Sequence, residues 1–214
     1  NQWVEMERKF DLEAQPQSAV AEIAVDSKYT LWVNGTLCVL DGGLNRGPEC
    51  GKGYIDRISL ARYLKQGGNT LRLMVWYWGN EGRNNEDSGH GGLYFQMEID
   101  GETRLISDHT WAARLCPGYQ ETGKPLPAYL YGGHNVGYDA RKADEAASET
   151  WPKAVELGEM GCAPFGEAEP RPVPMMAFDQ IRPFAKIQRQ AGKWVCDLPY
   201  ACQSQPYFKL RAPQ

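Results

Sequence analysis

The chain has 214 residues, with 23 Lys and Arg against 27 Asp and Glu, which gives a formal net charge of −4 at pH 7. Its 42% hydrophobic and 23% charged residues are typical of a globular protein and exclude intrinsic disorder. The acidic balance, without a basic run, argues against nucleic acid as a partner, and no apolar stretch approaches the ~20 residues of a membrane-spanning helix.

Residues 1–116 have the pattern of a β-rich segment. Apolar runs or alternation typical of strands occur, in chain order, at residues 3–12, 19–25, 29–33, 36–40, 71–78, 93–99 and 103–106. Asn34-Gly35 and Asp100-Gly101 each separate two of these runs, and such dipeptides favour a hairpin turn because both residues tolerate a positive φ. Segment 71–78 becomes apolar at consecutive positions, which indicates a central strand covered on both faces.

One helix is predicted in this first half, over residues 57–66. Asp56 would cap its N-terminus, because a carboxylate can accept hydrogen bonds from the first free backbone N–H groups. Gly67-Gly68 would end it.

Proline content changes abruptly after residue 116, with two of the 14 prolines at or before it and 12 after it. We therefore predict a sandwich core over 1–116 and a Pro-rich extension over 117–214, which completes the sandwich or leads into the next domain of a longer protein. The extension has strand-like runs at 181–188, 193–196 and 207–211, a short helical segment at 140–149, and Trp151 as a packing anchor. Many strands and little helix predict an all-β antiparallel sandwich. We also expect the natural polypeptide to continue beyond Gln214.

Several phrases of the sequence combine into a family pattern. They are Val33-Asn34-Gly35 after a strand, Tyr63-Leu64 followed by Gly67 and Asn69, and Tyr138-Asp139-Ala140-Arg141 followed by Trp151. Together they resemble the galactose-binding-like β-sandwich in the N-terminal region of bacterial α-L-rhamnosidases, a glycoside hydrolase family. The family usually has Glu where Gly137 stands here.

This resemblance implies a function that differs from catalysis itself. The catalytic acids of the family belong to a helical barrel, which no stretch of this chain supplies, so we assign no catalytic residue. The chain is expected to be a non-catalytic accessory module that contacts neighbouring domains and rhamnose-containing glycans, in the periplasm or outside the cell. Two alternatives stay open: a purely structural sandwich, and a sugar-binding domain of a β-galactosidase-type enzyme. The Tyr-Asp-Ala-Arg phrase disfavours the latter.

The candidate carbohydrate site lies on the loop that follows segment 71–78. Trp78, Asn80, Arg83 and His90 together offer an aromatic face and hydrogen-bonding groups for a pyranose ring. Core packing competes with sugar binding for Trp78, and it is the favoured role of Trp76.

No metal site and no cofactor are assigned. The three histidines, at positions 90, 109 and 134, lack the spacing of a helical zinc pair, and the acidic loop 81–87 lacks the residue order of a calcium loop. The six cysteines show no zinc pattern, and Cys38, in an apolar strand, is expected to be a free buried thiol.

Overall fold

Strands dominate the computed structural model, which describes residues 1–43, 52–79, 87–122, 136–146, 148–159, 161–162, 166–175, 182–201 and 207. The strands are β1 (Gln2–Leu12), β2 (Ala19–Asp26), β3 (Lys28–Val33), β4 (Thr36–Gly42), β5 (Gly53–Ser59), β6 (Gly67–Tyr77), β7 (Gly92–Ile99), β8 (Glu102–Ile106), β9 (Ala112–Leu115), β10 (Tyr119–Glu121), β11 (Val136–Tyr138), β12 (Ala168–Pro170), β13 (Lys186–Gln190) and β14 (Lys193–Asp197). A 3-10 turn covers Ala61–Tyr63, and helix α1 covers Ala140–Glu145.

Two five-stranded sheets form a sandwich. The first sheet has the order β4-β3-β6-β1-β9, and the second has the order β12-β5-β2-β7-β8. Neighbouring strands are antiparallel except β5 and β12, which pair in parallel. The predicted antiparallel β-sandwich is confirmed, and β6 takes the central position expected for segment 71–78.

The core lies between the two sheets because alternate residues of each strand point to the same face. The buried apolar positions of β6 are Leu71, Leu73 and Val75, and those facing them include Ile23 and Phe95 of the second sheet. Burying a side chain of this size stabilises a fold by roughly 1.5–3 kcal/mol. The alternate β6 residues Arg72, Met74 and Trp76 therefore project from the opposite, outer face of the first sheet.

Both predicted hairpins are present. Asn34 and Gly35 have φ of 50° and 78° between β3 and β4, and Asp100 and Gly101 have φ of 51° and 86° between β7 and β8. These are the positive φ values that type I′ turns require.

Asn34 also explains why the Val-Asn-Gly phrase occurs together with a distant Asn69. The Asn34 side-chain amide donates to Asn69 Oδ1 and to the Tyr63 carbonyl, each at 2.9 Å, while its own oxygen accepts from Thr70 N–H at 2.9 Å. Asn69 is buried and donates to the carbonyls of Lys65 and Gly67. The two side chains fasten the β3–β4 turn to the start of β6.

The predicted helix over 57–66 is wrong. Residues 53–59 form β5, the 3-10 turn occupies only Ala61–Tyr63, and Gly67 begins β6 rather than ending a helix. Asp56 is 1% exposed and caps nothing. It accepts hydrogen bonds from the Tyr29 hydroxyl at 2.9 Å and from Gly43 N–H at 2.9 Å, and it pairs with Arg171.

Asp56, Tyr29 and Arg171 form a cluster that connects distant segments of the sandwich. Burial, followed by the nearby Asp56 carboxylate, raises the pKa of the Tyr29 hydroxyl, so it remains a neutral donor. The Arg171 side chain is largely buried and follows β12, the parallel neighbour of β5. These long-range partners explain why β5 is a strand.

The described residues of the second half form short strands and one short helix. Helix α1 lies within the predicted helical segment 140–149, and β13 and β14 overlap the predicted runs at 181–188 and 193–196. The run at 207–211 lies outside the described residues except for Tyr207. The chain divides into compact units Asn1–Met176 and Ala177–Gln214, the latter containing the β13–β14 hairpin. The predicted division after residue 116 stays a prediction.

Two further observations concern the chain as a whole. Among the described residues, no helix is long and apolar enough to cross a membrane. Cys38 is a free, half-buried thiol that lies 3.3 Å from the Thr36 carbonyl, and burial raises its pKa.

Candidate functional site

The predicted sugar site lies in the β6–β7 connection, and the structure describes two of its four residues. Trp78 is buried at 3% exposure and packs edge-on against Trp76, with ring centroids 5.6 Å apart. His90 is exposed. Asn80 and Arg83, like most of loop 81–87, lie outside the described residues. The sugar-binding role of these four residues stays a prediction, and the burial of Trp78 favours its structural alternative.

Hydrogen bonds connect the backbone of Trp78 with that of His90. Trp78 N–H donates to Ser27 Oγ at 3.1 Å, and Ser27 Oγ donates to Asp26 Oδ1 at 2.5 Å. The other Asp26 oxygen accepts from the N–H and hydroxyl of Ser88, whose hydroxyl also lies 2.9 Å from the His90 carbonyl. The buried Asp26 thus fixes both ends of the connection.

Tyr77 adds a second attachment for this connection. Its hydroxyl donates to Asp87 Oδ1 at 2.8 Å, and Gly89 N–H donates to the same oxygen at 2.9 Å. Burial, with the hydrogen bond and charge of Asp87, raises the pKa of Tyr77 to about 12. The phenol is therefore protonated at neutral pH and acts as a fixed donor.

A row of aromatic rings covers the outer face of the first sheet next to this connection. Trp3 stacks between Trp76 and Tyr119, with centroid distances of 5.4 and 5.3 Å and interplanar angles of 17° and 16°. Tyr119 in turn packs on Tyr138, 4.7 Å away. Trp3 is buried, whereas Tyr138 is exposed at the open end of the row.

The Tyr-Asp-Ala-Arg phrase has a local structural explanation. Tyr138 ends β11, and Asp139 caps α1 by accepting from Arg141 N–H at 3.1 Å. Asp139 also accepts from the Arg141 guanidinium at 3.0 and 2.9 Å, and these bonds lower the pKa of the carboxyl. The phrase thus joins an aromatic stack to a helix start.

Further along the same outer face, three charged residues form a row across three strands. Glu5 on β1 accepts from Arg72 on β6 at 3.0 Å and from Arg114 on β9 at 2.7 Å. The Trp151 indole lies on both guanidinium groups, with 4.9 and 4.4 Å between their carbons and the ring centroid. Cation–π contacts of this kind contribute about 0.5–2 kcal/mol each. Trp151 is the packing anchor that the sequence predicted.

Backbone hydrogen bonds hold Trp151 at this edge of the sheet. Ala113 N–H donates to the Pro152 carbonyl, and Ala154 N–H donates to the Trp111 carbonyl, each at 2.9 Å. Residues 152–154 therefore extend alongside β9, and Lys153 forms an isolated antiparallel bridge with Ala112.

An open cleft of about 570 Å³ lies beside Trp151. Its charged lining consists of Arg8, Lys9, Arg72, Lys153, Glu7 and Glu149. The half-buried Trp151 contributes an apolar wall, and Thr110 and Thr150 contribute hydroxyl groups. This volume falls within the range of small-ligand sites, which combine an apolar wall with a few polar groups.

The floor near Thr110 is a rigid turn. Thr110 donates to Asp108 through its N–H at 2.9 Å and through its hydroxyl, and Trp111 N–H donates to the Asp108 carbonyl. Burial alone would raise the pKa of Asp108, but the Thr110 hydrogen bonds and nearby cationic charge lower it. Trp111 is 1% exposed and belongs to the core.

The acids of the cleft are ion-paired. Glu7 lies 3.0 Å from Lys9, and Glu149 lies 3.6 Å from Arg114. A glycosidase needs one carboxyl kept protonated, usually by an apolar environment, opposite a second carboxylate. Glu7 and Glu149 lie beside cationic side chains and not in an apolar environment. Among the described residues, no group of three or more His, Cys, Asp or Glu side chains could hold a metal ion.

Sequence reasoning found Trp151 but missed the cleft. Its lining comes from four separate segments, around residues 7–9, 72, 110–112 and 149–153. One signal in the sequence could have indicated the cleft. Arg72 is a cationic residue within the predicted strand 71–78, and an exposed arginine on a strand is a suitable partner for the indole of a predicted anchor such as Trp151.

Comparison with solved structures finds a shared architecture. A GH78-family rhamnosidase of Bacillus sp. GL1 is 28% identical with a TM-score of 0.75, and the match covers 88% of this chain and 20% of the enzyme. The α-L-rhamnosidase of Dictyoglumus thermophilum is 19% identical with a TM-score of 0.63, and the match covers 92% of this chain and 22% of that enzyme. The α-L-rhamnosidase of Aspergillus terreus is 18% identical with a TM-score of 0.58, and the match covers 92% of this chain and 24% of that enzyme.

The chain matches no protein-family model, and its sequence matches no curated protein. Its fold is nevertheless that of a single domain of α-L-rhamnosidases, and it spans between 20% and 24% of the length of the three enzymes. The resemblance predicted from the sequence is confirmed.

Proposed function

We propose that this chain is a non-catalytic accessory domain of an enzyme that hydrolyses terminal α-L-rhamnosyl bonds. The observation that carries the proposal is the match to the Bacillus enzyme, which covers 88% of this chain but only one fifth of the enzyme. A domain of this size leaves room in such an enzyme for a separate catalytic domain. The periplasm or the cell exterior is the proposed location, and a bacterium the proposed source.

The charge arrangement of the cleft supports a non-catalytic role. Its two acids are engaged with Lys9 and Arg114.

Contact with carbohydrate is the proposed contribution of the domain. Two surfaces are candidates, the β6–β7 connection with Trp78, Asn80, Arg83 and His90, and the Trp151 cleft. The cleft is favoured because it offers open volume beside an indole, whereas Trp78 is buried. A structural domain that only packs against its neighbours is the second candidate function, supported by the extensive burial of Trp3, Trp78 and Trp111.

Hydrolysis of an aryl α-L-rhamnoside by purified 1–214 tests the non-catalytic proposal. We expect release of the aryl alcohol at the rate of a heat-inactivated sample. A Glu7→Gln, Glu149→Gln double variant is the matched control, because it removes both carboxylates of the cleft. Turnover above the inactivated sample that disappears in this variant would contradict the proposal.

A further inference from the structure

The backbone of β1 forms part of the wall of the Trp151 cleft. The lining includes Glu7, Arg8 and Lys9, which are three consecutive residues of β1. Because neighbouring side chains of a strand point to opposite faces, a cavity that all three residues line reaches the backbone of the strand. Backbone groups can therefore take part in binding at this cleft.

Strand β1 continues past the end of its neighbour β9, over residues 8–12. The pairing of β1 with β9 ends at Glu7 and Ala112, whereas the pairing with β6 continues to Leu12. Before Ala112 the chain turns away from β1, because Trp111 N–H donates to the carbonyl of Asp108 and its side chain packs in the core. Ala112 also lines the cleft, which therefore lies where a longer β9 would extend alongside β1.

The backbone N–H and C=O of Lys9 point towards this open edge. Cys116 N–H donates to the Trp3 carbonyl at 2.7 Å, so the odd-numbered residues of β1 direct their backbone groups towards β9. The even-numbered residues, such as Arg8 opposite Leu71, direct theirs towards β6. Within the part of the chain that the structure describes, neither backbone group of Lys9 has a hydrogen-bond partner. One donor and one acceptor are thus left for a ligand.

The charges around the cleft do not select a charged ligand. Lys9 pairs with Glu7 and Arg72 pairs with Glu5, each at 3.0 Å. The Arg8 side chain belongs to the opposite, core-facing side of β1 and does not act together with them. A ligand therefore gains little from a charge of its own, and the free donor and acceptor of Lys9 decide what fits.

The hydroxyl groups of an uncharged saccharide match this donor and acceptor. A hydroxyl both donates and accepts, so two neighbouring hydroxyls can bind the N–H and C=O of one strand residue, as a paired residue would. Trp151 offers apolar surface for the C–H groups of a pyranose, and the hydroxyls of Thr110 and Thr150 also line the cleft. Resting on the proposed carbohydrate-contacting function, we infer that the Trp151 cleft binds an uncharged saccharide, with the backbone N–H and C=O of Lys9 bound to two neighbouring hydroxyls of its ring.

Backbone ¹H–¹⁵N NMR signals of 1–214 test this placement during titration with an uncharged oligosaccharide that ends in α-L-rhamnose. We expect the Lys9 amide signal to shift, and its hydrogen exchange to slow at saturation, because its N–H gains an acceptor. The Asp11 amide is the matched control, since it faces the same open edge but lies outside the cleft lining. A Lys9 signal that stays fixed while the Trp151 indole signal shifts would overturn the inference but leave carbohydrate contact standing.

Lys9→Pro removes the backbone donor itself, because proline has no N–H. Proline is tolerated where the N–H of a strand faces an open edge, and here the β1–β6 hydrogen bonds are kept because they involve the even-numbered residues. In calorimetric titration we expect roughly threefold to tenfold weaker binding, the size of one lost hydrogen bond. Asp11→Pro, the same change on the same edge outside the cleft lining, should leave affinity unchanged. Melting temperatures show whether both variants fold, and the amide signals of the parent decide if Lys9→Pro does not.

Two charge variants separate the Lys9 backbone from the cationic side chains of the cleft. Lys9→Gln keeps the backbone N–H but removes the charge, and Lys153→Gln removes an exposed charge from the lining. Both should bind the uncharged oligosaccharide as tightly as the parent, and raising the ionic strength should not weaken binding.

Three outcomes of these titrations overturn the inference. Lys9→Pro that folds and binds as tightly as the parent would show that the backbone donor is not used. A charge variant that weakens binding as much as Lys9→Pro would assign recognition to a side chain instead. Absence of any signal change at saturating sugar would remove the cleft as a sugar site, while the hydrolysis assay continues to test the non-catalytic proposal independently.

Discussion

Replacing Trp78 by Ala separates a core position from a sugar-binding position. The Trp78 indole is 3% exposed and packs edge-on against Trp76, and the Trp78 backbone N–H donates to Ser27 Oγ. Removing a buried indole costs about 3–5 kcal/mol, because transfer free energy is lost and a cavity remains. For a unit of this size, such a loss lowers Tm by on the order of 10 °C.

Urea and thermal unfolding followed by far-UV circular dichroism measure this loss. Trp194→Ala is the matched control, because it deletes the same side chain at a position that is 70% exposed, and its unfolding midpoint should barely change. If Trp78→Ala kept the parental midpoint while abolishing sugar binding, the structural explanation would be refuted and the predicted loop site would be correct.

The remaining predictions concern the framework around the cleft and the sheets. Arg171→Met should cost about 3–5 kcal/mol in urea unfolding, because it leaves the buried Asp56 carboxylate without its cation, and adding Asp56→Asn should recover part of that loss. Asp108→Asn should lower stability at pH 7 by about 1 kcal/mol. Because the folded pKa of Asp108 is lowered, its contribution is present above the ordinary value of 3.8 and is lost as pH falls through the folded pKa, so parent and variant should converge in acid unfolding curves. Gly42→Ala should destabilise by about 1–3 kcal/mol, because a Cβ there would lie 2.2 Å from the buried Tyr29 ring.

Matched changes define what would contradict these expectations. Gly68→Ala places its Cβ no closer than 3.6 Å to Asp11, so a loss equal to that of Gly42→Ala would show that the Tyr29 contact is not the cause. An Asp108→Asn difference that persists unchanged in acid would show that charge is not what that residue contributes. An Arg171→Met variant as stable as the parent would refute the cost assigned to the buried pair.

Local chemistry made much of the fold predictable from the sequence. The turns at Asn34-Gly35 and Asp100-Gly101 depend on residues that tolerate positive φ, and the flanking runs alternate with the two-residue period of a strand. The anchoring role of Trp151 followed from a similarly local pattern.

The failed helix at 57–66 shows where local reasoning ends. Asp56 satisfies the local rule for a helix cap, but its actual donors, Tyr29 and Arg171, are 27 and 115 residues away. Those contacts stabilise β5 and override the capping signal. The Trp151 cleft escaped prediction for the same reason, because the register of β1, β6 and β9 decides which charges share a face.

We propose that this domain contacts carbohydrate at the Trp151 cleft without hydrolysing it. The most direct measurement follows the seven tryptophan indole signals of 1–214 by ¹H–¹⁵N NMR during titration with an oligosaccharide bearing terminal α-L-rhamnose. We expect the Trp151 signal to shift while the Trp78 signal stays fixed and no free rhamnose appears. Release of rhamnose, a shift centred on Trp78, or unchanged indole signals at saturating sugar would contradict the account.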